Sequence, residues 1–377
     1  MKRRALALLA LAAAFSPADL EAQASVYSVL GIGFPGRAVG VRARSLGGAI
    51  EALDPGSAVN PAAVAGFRAL RAVVTTGSTF RRYETDGLAV EGLRDTRFPF
   101  AVIGGPVART PVSFAASYAL YADRTFDLQT GDTLTLRGAT VPVGDQISSD
   151  GAVTDLRGAL AWVVSRSLQV GAGVHIISGS TREVFDRAFG DTNYTRVRQQ
   201  TETGFSAVGF SAGVTAAPTP WLRLGAAVRT DTRLAETRGG LVIGRVNLPT
   251  TVSGGVILGL TPTVRWSLGV TWRSWSTAAD DVAAHSGASA FDTWEVGSGI
   301  ELGATSRIPL RAGFRYAELP FSPTSEQVRE IDLAAGAGVP FAGNRAAFEF
   351  AVERQLRDGG GATERAWFLS FSLWLRP

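Results

Sequence analysis

Histidine and cysteine carry much of the covalent and metal chemistry of proteins, and this 377-residue chain holds two histidines and no cysteine. Disulfides, thiolate metal sites and a lipid-anchored N-terminal cysteine are thereby excluded. A hydrolase would need a Ser–His pair held by a third polar group. His175 falls on the charged face of an alternating stretch, but no nucleophile motif surrounds it, and His285 lies between stretches. Gly254-Gly255 and the run Gly359, Gly360, Gly361 lack the strand–loop–helix setting of a phosphate cradle. Acidic residues in the connections are too scattered for a calcium loop. No catalytic residue, metal or cofactor is assigned, and the chain is not expected to be an enzyme.

What remains is charge on strands. Arg71, Asp155, Arg157, Arg223, Arg229, Arg265, Arg273, Glu295, Glu301, Arg311, Arg315, Asp332, Glu349 and Glu353 share one phase of the alternation. Successive stretches offer Arg265 and Arg273, then Glu295 and Glu301, then Arg311 and Arg315, then Glu330 and Asp332. Opposite signs on neighbouring strands favour cross-strand pairing. Two readings are open: a neutralising ladder, or a ladder that leaves one or two arginines free for an anionic headgroup. The candidates for such contacts are Arg71, Arg157, Arg223, Arg265 and Arg315.

Period-two alternation must position these residues. It runs through fourteen stretches from residues 70–80 to 365–376, each about the length of a tilted membrane strand. Leu310, Ala312, Phe314 and Tyr316 oppose Arg311, Gly313 and Arg315; Trp367, Leu369, Phe371, Leu373 and Leu375 form an apolar row. Short connections (105–111, 165–167, 218–220, 261–263, 303–307, 340–344) alternate with long ones (81–96, 128–151, 181–202, 233–249, 278–290, 319–326, 355–364). Outer-membrane barrels have this asymmetry. The eight tryptophans lie near stretch ends, as two interfacial girdles require. A lipid-facing charge costs about 2–4 kcal/mol at the midplane, so the charged face is assigned to the lumen. The expected fold is all-β: a 14-stranded antiparallel transmembrane barrel.

Residues 44–67 do not alternate and read as a plug. Within them Asn60-Pro61-Ala62 carries helix-start chemistry: Asn is a favoured cap and Pro suits the first helical position. Met1-Lys2-Arg3-Arg4, an apolar run over 5–15 and Ala22-Gln23-Ala24 form a secretory signal. Residues 1–24 are thus a signal peptide, 25–67 an N-terminal plug and 68–377 the barrel. The net charge of +4 comes from arginine, since Lys2 is the sole lysine. Arginines interleave with acids, so nucleic-acid binding, which clusters basic charge, is not expected.

Three segments carry a resemblance. Residues 46–67 look like the N-terminal hatch, with its Asn-Pro-Ala motif, of the FadL-type outer-membrane transporters for long-chain fatty acids and other hydrophobic compounds. Residues 247–276 (NLPTTVSGGVILGLTPTVRWSLGVTWRSWS) are similar to a family hairpin from Leu-Pro to Trp-Ser. Residues 308–321 (IPLRAGFRYAELPF) are similar to another family strand. The resemblance implies a monomeric barrel, folded by the barrel-assembly machinery into outer-membrane lipid. It also implies a hydrophobic or amphipathic small-molecule ligand that passes through the lumen, past the hatch and sideways out through the wall. Pro99, which cannot donate to a ladder, is the candidate seam. The connection 181–202 is short for this family; Val184, Phe185, Ala188 and Phe189 are expected to form one apolar helical turn, a reduced surface capture site. The alternative function is a structural or secretion-partner barrel without transport.

Overall fold

Alternation gives each strand one face for lipid and one for the lumen. The computed structural model, which describes residues 25–85, 88–306 and 308–376, realises that arrangement. Fourteen antiparallel strands close into one barrel: β1 (Arg71–Thr85), β2 (Leu88–Pro106), β3 (Val112–Asp123), β4 (Ala139–Val163), β5 (Leu168–Phe189), β6 (Val197–Thr219), β7 (Leu222–Asp231), β8 (Thr251–Gly259), β9 (Val264–Arg273), β10 (Thr293–Leu302), β11 (Leu310–Glu318), β12 (Arg329–Phe341), β13 (Ala346–Gly359) and β14 (Ala362–Leu375). Each pairs with the next, and β1 closes on β14 from Ala72–Leu375 to Thr85–Ala362. Closure removes the exposed sheet edges that an open sheet would present.

The two faces differ in kind. Leu156 and Leu160 on β4, Ile176 on β5, Phe210 on β6, Leu333 on β12, Phe348 on β13 and Phe371 on β14 point outward and are exposed. Asp155, Arg157, Glu295, Arg315, Glu330 and Glu353 point inward and are buried. An apolar outside around a charged inside inverts a soluble protein; it is the construction of a multi-pass outer-membrane barrel.

At one end of the barrel the turns are short. At the other, most of the expected loops 81–96, 128–151, 181–202, 233–249 and 355–364 are paired strand instead. Phe126–Leu136 folds back on the first part of β4 through Arg137 and Gly138, with φ of 52° and 82°. Two left-handed residues are what a type I′ hairpin requires. Leu234–Arg238 and Leu241–Val246 form a second hairpin about Gly239-Gly240, and its first arm pairs with β6.

The helical turn expected at Val184, Phe185, Ala188 and Phe189 does not form. β5 continues through them, with Val184 opposite Ser148 on β4 and Gln200 on β6. Two flanking strands offer these backbone groups partners that an isolated helical turn cannot match. Beyond the barrel rim, Arg187 grips Asp145 through bonds of 2.7 and 2.6 Å. That bond holds the Asp145 carboxyl below its ordinary range. The helical piece at this end is 275–286, Trp275–Ala278 followed by Ala279–Ser286.

One tryptophan departs from the girdle. Trp162, Trp221, Trp294 and Trp367 are about half-exposed on the outer wall, but Trp275 is buried and meets Phe321 edge-to-face with centroids 5.1 Å apart. It lies past the end of β9, so a helical turn, and not strand phase, directs it inward. The signal-peptide assignment, residues 1–24, lies outside the described residues. Residues 25–67 occupy the lumen and include short helical turns at Val26–Val29, Val41–Arg44 and Pro61–Gly66.

Candidate functional site: the plugged lumen

Asn60 shows how the plug is held. Its Oδ1 accepts from the Ala62 amide at 2.9 Å, the cap expected ahead of Pro61. Its Nδ2 donates to the carbonyls of Ala52 at 2.8 Å and Val214 at 3.1 Å. One side chain therefore caps the helical turn, ties it to the rest of the plug and anchors both to β6. Asn60 itself and its partners within the plug are buried, where an unmet donor or acceptor would be costly.

This close approach depends on glycine in the wall. A Cβ at Gly213 would lie 2.0 Å from Asn60 Oδ1, and one at Gly171 would lie 2.5 Å from the Ala62 nitrogen. The same holds round the barrel: Gly225 faces Ala52, Gly269 faces Ala49, and Gly297 and Gly313 face Gly47. These positions are mostly direct cross-strand partners: Gly171 with Gly213, Gly225 with Gly255, Gly255 with Gly269, Gly269 with Gly297, and Gly299 with Gly313. The lumen thus carries a belt of missing side chains from β5 to β11, and the plug backbone lies flush in it.

Charge clamps the same region. Arg315 bonds Glu295 at 2.6 Å and Asp332 at 2.6 Å and also engages Glu330. Arg357 links Glu330 to Glu364. Below them Glu301 holds Arg311 at 2.9 Å and Arg265 at 3.7 Å. Plug arginines join this ladder: Arg42 meets Glu301 at 3.1 Å, Arg44 meets Glu353 at 3.4 Å, and Arg37 reaches Glu51, Glu295 and Glu353. The strand-by-strand signs therefore do form a ladder. The arginines of the plug extend it, a contribution that alternation could not reveal because the plug has none.

The wall opens on the other side of the plug. β2 and β3 pair from Pro106–Ser113 only as far as Phe100–Ala119. At that level β2 carries a bulge, Phe98 and Pro99 standing opposite the single residue Thr76. β3 has its own register shift at Tyr121. Above the break the free edge of β3 is taken by the plug, Phe34 opposite Asp123 and Pro35 opposite Ala122. The Gly36 amide donates to the Tyr121 carbonyl at 2.8 Å. A cavity of about 140 Å³ lies behind this seam, lined by Phe34, Pro35, Pro99, Leu120 and Phe368 together with ladder residues such as Arg315 and Glu295.

The five arginine candidates are not gathered at this cavity. Arg315 lines it but is consumed by three carboxylates. Arg265 belongs to the lower ladder, and Arg71 lies over the Trp374 ring at 4.6 Å. Arg223 is exposed near the short-turn end. Arg157 is buried, and none of its three guanidinium nitrogens has a hydrogen-bond partner among the described residues. Val184, Phe185 and Phe189 stand on the extension of β5, with Phe189 against Tyr194 and Phe185 under Arg187. Sequence reasoning missed Phe34, Pro35 and Phe368 at the seam. It also missed Ser211, whose hydroxyl lies 2.9 Å from His175 Nε2; no motif marks that pair because its members are on different strands.

No family model and no curated protein matches the sequence. Solved structures do match. The chain is similar to a FadL homologue of Pseudomonas aeruginosa (16% identity, 91% of this chain and 99% of that one, TM-score 0.62). It is also similar to the toluene transporter TbuX of Ralstonia pickettii (15%, 95% and 99%, TM-score 0.57) and to the monoaromatic hydrocarbon channel CymD (13%, 96% and 99%, TM-score 0.56). Barrel, plug and alignment over nearly the whole of both chains agree: this protein has the fold of the FadL-type outer-membrane channels.

Proposed function

We propose that the protein conducts small hydrophobic molecules through the outer membrane, and that they leave the lumen sideways between β2 and β3. The observation that carries this reading is the broken β2–β3 ladder, with a cavity behind it and plug residues Phe34 and Pro35 filling the break. A closed barrel with no lateral route has no need to interrupt its wall and cover the gap with a separate segment. Size narrows the ligand. A cavity of about 150 Å³ is known to accept a benzene ring, and the space behind the seam is about 140 Å³. That volume is of the size of a small ring, and Phe34, Pro35, Pro99, Leu120 and Phe368 give it an apolar side beside the seam, opposite the charged ladder. The similar structures include proteins described as toluene and monoaromatic hydrocarbon channels, which supports the same class. Asn60, Pro61 and Ala62 then hold the floor of the path, and Pro99 marks its exit.

The test locks the exit. Pro35 and Ala122 are direct cross-strand partners, a spacing within disulfide range, so Pro35→Cys with Ala122→Cys should form a bridge on oxidation. Toluene uptake by cells carrying the oxidised variant should fall to background and return on reduction. Unchanged uptake in the locked protein would rule out this exit. If the parent takes up neither toluene nor a fatty acid, the barrel is a structural or secretion-partner protein instead.

A further inference from the structure

A polar relay inside the barrel stands apart from the cavity behind the seam. Asp155 on β4, His175 on β5 and Ser211 on β6 lie on one diagonal of the lumen wall. His175 Nδ1 is 3.0 and 2.9 Å from the two Asp155 oxygens, and its Nε2 is 2.9 Å from Ser211 Oγ. A carboxylate accepts only, so the ring proton belongs on Nδ1, and Nε2 presents its lone pair to the serine hydroxyl. Asp155 is itself fixed by Arg229 at 2.6 Å, and Arg229 is fixed by Asp231 at 2.9 Å. The order nucleophile, base, orienting carboxylate is that of an activated serine.

Two further features fit a reacting centre. Gly173, the direct cross-strand partner of Ser211, makes the room its hydroxyl occupies: a Cβ there would lie 2.7 Å from Oγ. Arg157 is the cross-strand partner of His175, 3% exposed, with every guanidinium nitrogen unpartnered among the described residues. The charge of Asp155 reaches it without a hydrogen bond, and a buried guanidinium that makes no hydrogen bond is costly, so further negative charge beside it would be favoured. An oxyanion formed at Ser211 would supply it. Asp155 borders a second cavity of about 110 Å³, shared with Ala58, Val59 and Ala119 of the plug and β3.

We propose that Ser211 is a nucleophile and that the barrel hydrolyses small esters of short acyl chains. Ser211 Oγ bonds to the acyl carbon while its proton passes to His175 Nε2, and negative charge collects on the former carbonyl oxygen beside Arg157. The ester C–O bond breaks, and the leaving alkoxide takes the proton from Nε2 and departs as the alcohol. Water, giving a proton to Nε2, adds to the acyl carbon; the carboxylic acid is released and Ser211 regains its proton.

The test treats the folded, detergent-purified barrel with a small fluorophosphonate and with p-nitrophenyl butyrate. One phosphonyl adduct should map to Ser211 by mass spectrometry and be lost in Ser211→Ala. Butyrate hydrolysis should fall at least 100-fold in Ser211→Ala and in His175→Gln, and about 10-fold or more in Arg157→Met. Folding of each variant is checked by its gel mobility before boiling. Toluene uptake by Ser211→Ala should match the parent, which separates this chemistry from transport. A folded parent that gains no adduct at Ser211, or a Ser211→Ala variant that hydrolyses butyrate at the parental rate, overturns the proposal.

Discussion

Asn60 and Arg315 show how a single side chain is committed inside this lumen. Asn60 satisfies the Ala62 amide and two carbonyls at once. Asn60→Ala should cost about 1 kcal/mol of local order, the usual value of such a cap. Hydrogen exchange over Pro61–Gly66 should accelerate while the melting of the barrel is unmoved, because none of its ladder bonds is touched. An unchanged exchange rate would show that the belt alone holds the turn. Arg315 is a harsher case. It bridges Glu295, Glu330 and Asp332, and removing one partner of a buried ion pair typically costs about 3–5 kcal/mol. Arg315→Met should lower the urea midpoint of the detergent-folded barrel accordingly; no shift would mean the carboxylates find other partners.

Among elements, the contrast is between the belt and the seam. From β5 to β11 the wall sheds side chains so that plug backbone can lie against it, and arginines of the plug close the contact with charge. Between β2 and β3 the ladder stops at Phe100–Ala119 and only a short piece of plug covers the break. Glycine contacts and ion pairs secure residues 42–62, and the segment before Arg37 is tied to the wall as well: Ser25 and Val26 bond Glu364 at 2.9 and 3.0 Å, the Tyr27 hydroxyl donates to the Gly359 and Ala362 carbonyls, and the Gly36 amide donates to the Tyr121 carbonyl. The continuation of β5 through Val184, Phe185 and Phe189 belongs to this scale too, since neighbouring strands overrode a four-residue apolar pattern.

For the whole molecule the controlling fact is closure. With β1 paired to β14 along its length, every strand has two neighbours, and the exposed apolar rows lie on the outside of the barrel. The unboiled protein should run faster on a detergent gel than the boiled one, because a closed barrel resists detergent and stays compact. Equal mobility, with solubility in the absence of detergent, would contradict a membrane barrel.

Alternation, loop asymmetry and the signs of successive strands are local properties, and each was legible in the chain alone: strand count, the face of each charge, and the cap at Asn60. Strand phase is set by a two-residue period, so a residue's face follows from its neighbours in sequence. Three things were decided only by the tertiary structure. The glycine belt has meaning only once the plug is against it, since a glycine's absent side chain matters only when another chain comes close. The seam depends on where β2 leaves β3, a long-range pairing with no periodic signature beyond Pro99. The Asp155–His175–Ser211 relay joins residues from three strands, and which inward side chains meet diagonally is settled by register, a property of paired strands and of no single one.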